Sequence, residues 1–174
     1  MNKSMVAAVM MGCMMISSVS LAEDEKASST ACQPSLEQRD NLRFEGLDWS
    51  GMSFARMNLA ERDFVFMSMD DADFAHAGLQ GAIFSGARMT DGKFFGVRAP
   101  TANFSHACLK GADFRKADLS DVDFTGASLR GARLWGAKLD GTVWKDTVCP
   151  DGSNSDENGG TCKGHLRIFG GRRS

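Results

Sequence analysis

Between Phe44 and Trp144 every fifth residue is large and apolar, with Ala99 the one exception among twenty-one positions. The residue two before each is restricted too: Leu42, Leu47, Met52 and Met57 at the start, then mostly Ala. The residue two after is often Gly, as at 81, 86, 96, 111 and 126. An α-helix turns about 100° per residue, so a step of five drifts by about 140° and the large residues would circle the axis. A straight strand fails because five is odd and side chains alternate faces with period two. The chain must therefore turn once per repeat. A short extended stretch points the large residue and the small one before it inward, and Gly, Ser or Thr then turn the corner.

The order of the large residues constrains the number of sides. From Phe44 to Phe124 every second one is Phe, nine in succession. An even-sided coil stacks like on like, whereas a three-sided coil would stack Phe on non-Phe. With four sides, Phe44, Phe64, Phe84, Phe104 and Phe124 form one ladder and Phe54, Phe74, Phe94 and Phe114 the facing one. Leu59, Leu79, Ala99, Leu119 and Leu139 line a third side; Trp49, Met69, Met89, Leu109 and Leu129 line the fourth. Ala99-Pro100 is the one interruption. A small core residue followed by Pro, which has no N–H, predicts a local bulge or small cavity there.

Stretches such as Ala112-Asp113-Phe114-Arg115-Lys116, Ala117-Asp118-Leu119-Ser120-Asp121 and Ala102-Asn103-Phe104-Ser105-His106 resemble the A-(D/N)-(L/F)-x-x signature of the pentapeptide-repeat family. The resemblance implies an all-β fold, a right-handed quadrilateral β-helix with twenty residues per coil. About five coils at ~4.8 Å each give a rod ~24 Å long.

The ends divide the chain further. Residues 1–22 read as a cleaved signal peptide: Lys3, an apolar run from Met5 to Val19, then Ser20-Leu21-Ala22 ahead of Glu23. That run is too short and too interrupted for a stable membrane anchor. Residues 23–41 form a polar leader or N-terminal cap, with a capping-box pattern at Ser35–Gln38. The repeats occupy 42–146 and are expected to stop at Trp144, and 147–174 form a Cys-bracketed C-terminal loop with a basic tail. Such a tail resembles that of some exported bacterial members of the family. The expected address is the periplasm or the medium, where disulfides persist. A Cys149–Cys162 disulfide closes the tail loop and would stabilise by roughly 3 kcal/mol. Cys108 takes an outward position and Cys32 lies in the leader; a disulfide between them and two thiols remain equal alternatives.

Charge and chemistry narrow the function. The repeats carry 13 Lys and Arg against 14 Asp and Glu, too balanced for nucleic acid. His76 and His106 are one and a half coils apart, on opposite sides, and no Ser-His-Asp set, phosphate loop, paired carboxylates or cofactor motif is present. No enzyme, cofactor or resident metal is expected. Asn154–Gly159 has the start of a calcium loop, but His165 stands where the bidentate acid belongs. Outward apolar residues are more informative. On the Phe54 side the position after each large residue reads Ala55, Ala75, Phe95, Arg115, Trp135, so Phe95 and Trp135 bracket Arg115 as a cation–π ladder. Val65, Phe66 and Ile83 are expected to extend this patch on an adjoining side. The reading that follows is a non-catalytic exported scaffold that binds a protein or cell-surface partner, or a second copy of itself. Two alternatives stand beside it. One is the family's topoisomerase-binding DNA mimicry of the quinolone-resistance type, which export and near-neutral charge disfavour. The other is calcium-dependent surface adhesion.

Overall fold

The computed structural model describes residues 48–166. Phe44, the expected signal segment (1–22), the expected leader with Cys32 and its capping-box pattern, and the basic end from 167 onward lie outside the described residues. Within them the chain winds in steps of twenty. Seventeen parallel single-residue bridges join each position to the one twenty later, from Asp48↔Ser68 to Ser128↔Val148.

One repeat accounts for all five backbone N–H groups, which is what lets so short an extended stretch stand. In 102–106, Ala102 N–H closes the preceding turn on Ala99 O at 3.2 Å, and Asn103 N–H reaches back one coil to Ala82 O at 2.9 Å. Phe104 and His106 donate forward one coil, to Asp123 O at 2.8 Å and Thr125 O at 2.7 Å. The remaining donor, Ser105 N–H, is taken by the repeat's own Asn103 Oδ1 at 2.8 Å. This explains the Asp or Asn of the signature: its carboxylate or amide oxygen closes an Asx turn on the one N–H the ladder does not use. Asp63, Asp73 and Asp123 do the same for Val65, Ala75 and Thr125.

Each corner is a turn closed by an i to i+3 bond, for example Met57 N–H to Phe54 O at 3.1 Å. Its third residue has positive φ and its second does not, as in a type II turn. All twenty corner residues from Gly51 to Asp146 share this conformation, although only nine are Gly.

The interior follows the expected ladders. Phe54, Phe74, Phe94 and Phe114 stack at 4.6–5.1 Å between ring centroids. Phe64, Phe84, Phe104 and Phe124 stack opposite them at 4.8–5.6 Å. The two ladders meet edge to face across the core, as between Phe74 and Phe84 at 5.6 Å, the arrangement favoured by ring quadrupoles.

The bulge expected at Ala99-Pro100 does not form. The register passes without a bulge through Gly78↔Arg98↔Asp118, and Ala99 is fully buried. Pro100 occupies the position whose N–H never joins the ladder, so no inter-coil bond is lost there. Its carbonyl still accepts Gly81 N–H at 3.1 Å.

The register also continues past Trp144. Leu129 N–H donates to Val148 O and Gly131 N–H to Pro150 O, each at 2.8 Å. Cys149 thereby extends the Trp49–Leu129 column as an inward core residue. It is bonded to Cys162, with Cα atoms 5.3 Å apart and both residues fully buried. The loop between them folds back, with an antiparallel bridge Val148↔Asn154 and a single 3₁₀ turn at Asp156–Asn158. Buried Ser155 Oγ donates to Trp144 O and accepts Thr147 N–H. The disulfide and this loop close the C-terminal end of the core, where an open solenoid would expose apolar rings.

Candidate interaction face

The outer face of the Phe54 side is built from the two residues flanking each inward Phe and from the corner that follows. Because these positions repeat every twenty residues, Phe95, Arg115 and Trp135 fall in one column, and His76, Gly96 and Lys116 in the corner column beside it. The His76 ring meets Phe95 edge-on at 5.5 Å. Arg115 Cζ lies 5.8 Å from the Phe95 centroid and Lys116 Nζ 5.7 Å.

Arg115 is not sandwiched as the spacing implies. Asp113, two residues earlier on the same surface, takes its guanidinium in a fork, with Nε to Oδ1 at 2.8 Å and Nη2 to Oδ2 at 2.6 Å. A bidentate charged pair sets the plane of the guanidinium more firmly than a ring contact does. Burial pushes the Asp113 carboxyl up, but the Arg115 bonds and the charges of Arg115 and Arg133 outweigh it and hold it below its ordinary value. Trp135 is left 63% exposed, and the cation contacts among the described residues fall on Phe95. Lys116 and His76, neither of which the sequence reading placed in this patch, complete the Phe95 surroundings. Their signal was present in the twenty-residue column they share.

Over residues 93–135 this face presents Lys93, Arg115, Lys116 and Arg133 against Asp113 alone. A rod balanced in total charge therefore has one cationic, aromatic face.

Val65, Phe66 and Ile83 do not join it. They lie on the outer surface of the Phe64 side, and the Phe64 and Phe54 ladders oppose each other across the core, so the expected patch is split between opposite sides. Phe66 covers the bare corner of Gly86, where a β-carbon would collide with its ring. Val65 and Phe66 are half-buried, and Ile83 is 37% exposed. His76 and His106 also stand at opposite corners.

In the tail loop the oxygen-bearing side chains are turned onto the loop itself. Asn154 Oδ1 accepts Asp156 N–H at 2.8 Å, and Asp156 Oδ1 accepts Asp146 N–H at 2.9 Å. Among the described residues no group of three or more His, Cys, Asp or Glu is placed to hold a metal ion.

The pentapeptide-repeat family model matches eight copies, over residues 53–91 and 102–136. Over those two stretches the chain is built of pentapeptide repeats. Members fold as right-handed quadrilateral β-helices. The unmatched residues 92–101 contain Gly92 and Ala99-Pro100, where the sequence departs from the signature but the hydrogen-bond register does not. Among solved structures the chain is similar to the pentapeptide-repeat protein Rfr23 from the cyanobacterium Cyanothece 51142. They are 21% identical over 57% of this chain and 82% of that one, with a TM-score of 0.56. It is also similar to HetL from Nostoc sp. strain PCC 7120, a pentapeptide-repeat protein involved in heterocyst differentiation regulation. That pair is 26% identical over 60% of this chain and 52% of HetL, with a TM-score of 0.53. The plasmid-mediated fluoroquinolone resistance protein QnrB1 superposes with a TM-score of only 0.36 at 21% identity, covering 56% of each chain, which supports no comparison of surfaces. No curated protein matches the sequence.

Proposed function

We propose that this pentapeptide-repeat protein is a non-catalytic scaffold, exported to the periplasm or the medium, that engages a protein or cell-surface partner through the outer face of the Phe54 side. The observation that carries this reading is Trp135, 63% exposed two coils from Phe95 in the same outer column, on a face with four cations. Exposed aromatics flanked by Arg are what interaction hot spots are made of, because they bury much area for little conformational entropy. The similarity to HetL, whose described role is in regulation, fits such a use. Export is supported by residues 1–22 and by the buried disulfide. The N-terminus of the protein recovered outside the cytoplasm should begin at Glu23.

The decisive comparison is between wild type and a Phe95→Ser/Trp135→Ser double variant of unchanged circular dichroism. Immobilised on a column, the wild type should retain its partner, or in sedimentation its second copy, and the variant should not. Equal retention and equal sedimentation would remove this face from the function.

A further inference from the structure

The outer surface of the Phe54 side changes sign along its length. Asp73, Lys93, Asp113 and Arg133 follow one another in the column before each inward residue, one coil apart. Ala75, Phe95, Arg115 and Trp135 fill the column after it. With the corners included, Asp71, Asp73 and Asp91 mark the earlier coils; Arg115, Lys116 and Arg133 outnumber Asp113 on the later ones. Asp73 and Asp113 are half-buried and the other charged residues of the face are exposed. The two corner columns alternate between side chains and bare glycines: Asp71 and Asp91 precede Gly111 and Gly131, and His76 and Lys116 interleave with Gly96 and Gly136.

We propose that the partner of this face is a second copy of the chain, docked antiparallel about a two-fold axis between the Phe95 and Arg115 coils. The inference rests on the reading that the Phe54 side is the interaction face. Such an axis lays each column on its own reverse. Asp73 then faces Arg133 of the second copy, Lys93 faces Asp113, and Phe95 faces Arg115. Trp135, the bulkiest outward side chain, comes opposite Ala75. At the corners Asp71, Asp91, His76 and Lys116 each meet a glycine, so no two corner side chains collide. Every pair is made twice, as in any isologous contact. Arg56 lies beyond the paired coils, next to the cap loop of the second copy.

Charge singles out this register. Sliding one rod by a coil, ~4.8 Å, sets Asp73 on Asp113 and Lys93 on Lys93. Sliding it the other way sets Lys93 on Arg133 and Asp113 on Asp113. Like charges directly opposed exclude both. A parallel pair about an axis along the rod sets Asp73 on Ala75, away from any cation. The face is small, about five coils by one side or roughly 300 Å² in plan, against the ~800 Å² per partner of a standard stable complex. The dimer is therefore weak, held largely by charge and dissociated by salt.

The test is sedimentation of the purified protein over a dilution series at low and high salt. Wild type should pass from monomer to dimer as its concentration rises at low salt and stay monomeric at high salt. Asp73→Arg and Arg133→Asp should each raise the dimer Kd by about tenfold or more, because each acts twice across the axis. The double swap Asp73→Arg/Arg133→Asp should restore the dimer, which neither a parallel pair nor a merely structural role would do. Position 73 accepts the change, since Lys93 and Arg133 hold the same place in their own repeats; unchanged melting of the dilute variants checks this. A wild type that stays monomeric throughout, or a dimer that the double swap does not rescue, would overturn the proposal. If such a monomer still captures a partner that Phe95→Ser/Trp135→Ser loses, the second copy is rejected and the face stands. Equal capture by both rejects the face as well.

Discussion

The imidazole of His76 lies on the bare α-carbon of Gly96, one coil further on: a β-carbon there would stand 2.8 Å from its Nδ1. The pair exemplifies a rule of the corners. Phe66, His76 and His106 each cover a Gly twenty residues later, at Gly86, Gly96 and Gly126. A side chain held at positive φ on one coil fills the space that a missing side chain leaves on the next. Neither residue of such a pair is interchangeable with its partner.

Replacing Gly96 by Ala should therefore destabilise twice over. An L-residue at φ +62° costs about 1–2 kcal/mol, and His76 must leave its place against Phe95. In a His76→Ala background the second part disappears, so Gly96→Ala should cost less there. A double-mutant cycle by urea unfolding would show a coupling of about 0.5 kcal/mol or more. Strictly additive effects would mean that the imidazole contact is passive.

This contact also shows where the sequence was readable. The stride of five and the Phe alternation are imposed by packing, because each inward residue must stack on one twenty positions away; the ladders from Phe54 to Phe124 were therefore legible. The same stride led from Trp144 to Cys149, a core residue overlooked because a cysteine in a polar tail reads as a loop staple. Outward positions obey no such constraint. Whether Arg115 would choose Asp113 or Trp135 depended on side-chain geometry that spacing does not encode. The split of Val65 and Phe66 from Phe95 was implicit in the facing ladders, and only the assignment of the outer sides was mistaken.

Pro100 offers a check on the hydrogen-bond scheme. Its position is the one whose N–H is taken by an Asx side chain or by nothing, and the residue two before it is Arg98, which offers no Asx acceptor. Pro100→Ala should thus restore no ladder bond and should change stability by less than about 1 kcal/mol, in the destabilising direction, through the freer unfolded chain. A clear stabilisation in thermal unfolding would show that the proline does interrupt the ladder.

Trp144 ends the Phe64 ladder, stacked on Phe124 at 5.3 Å and 3% exposed, but its Nε1–H is buried without an acceptor. An orphaned buried donor costs about 1–3 kcal/mol. Trp144→Phe keeps the stack and removes the donor, so its lost volume and its relieved desolvation should offset each other to within about 1 kcal/mol. Trp144→Ala should lose about 3–5 kcal/mol, as buried aromatics do. Chemical unfolding of the two variants side by side measures the difference, and a Phe variant as damaged as the Ala variant would mean that the indole nitrogen has a stabilising partner.

Acid should loosen the cap through Asp151. Burial pushes its carboxyl up, but hydrogen bonds from the Ser153 hydroxyl and N–H, and from His165 at 2.7 Å, outweigh this and lower it from 3.8 to about 2. A carboxyl whose folded value lies below its unfolded one binds protons more readily when unfolded. Its stabilisation is therefore complete above about pH 4 and is lost as the pH falls toward 2. With a side chain about a third exposed, the effect is screened and modest. Asp113 and Asp118 are also held below their ordinary values and contribute to any acid loss, so the informative quantity is the difference between wild type and Asp151→Asn. That difference in melting temperature should be largest near pH 5 and should close by about pH 2. A difference that stays constant across the window would assign the role of Asp151 to its shape and not to its charge.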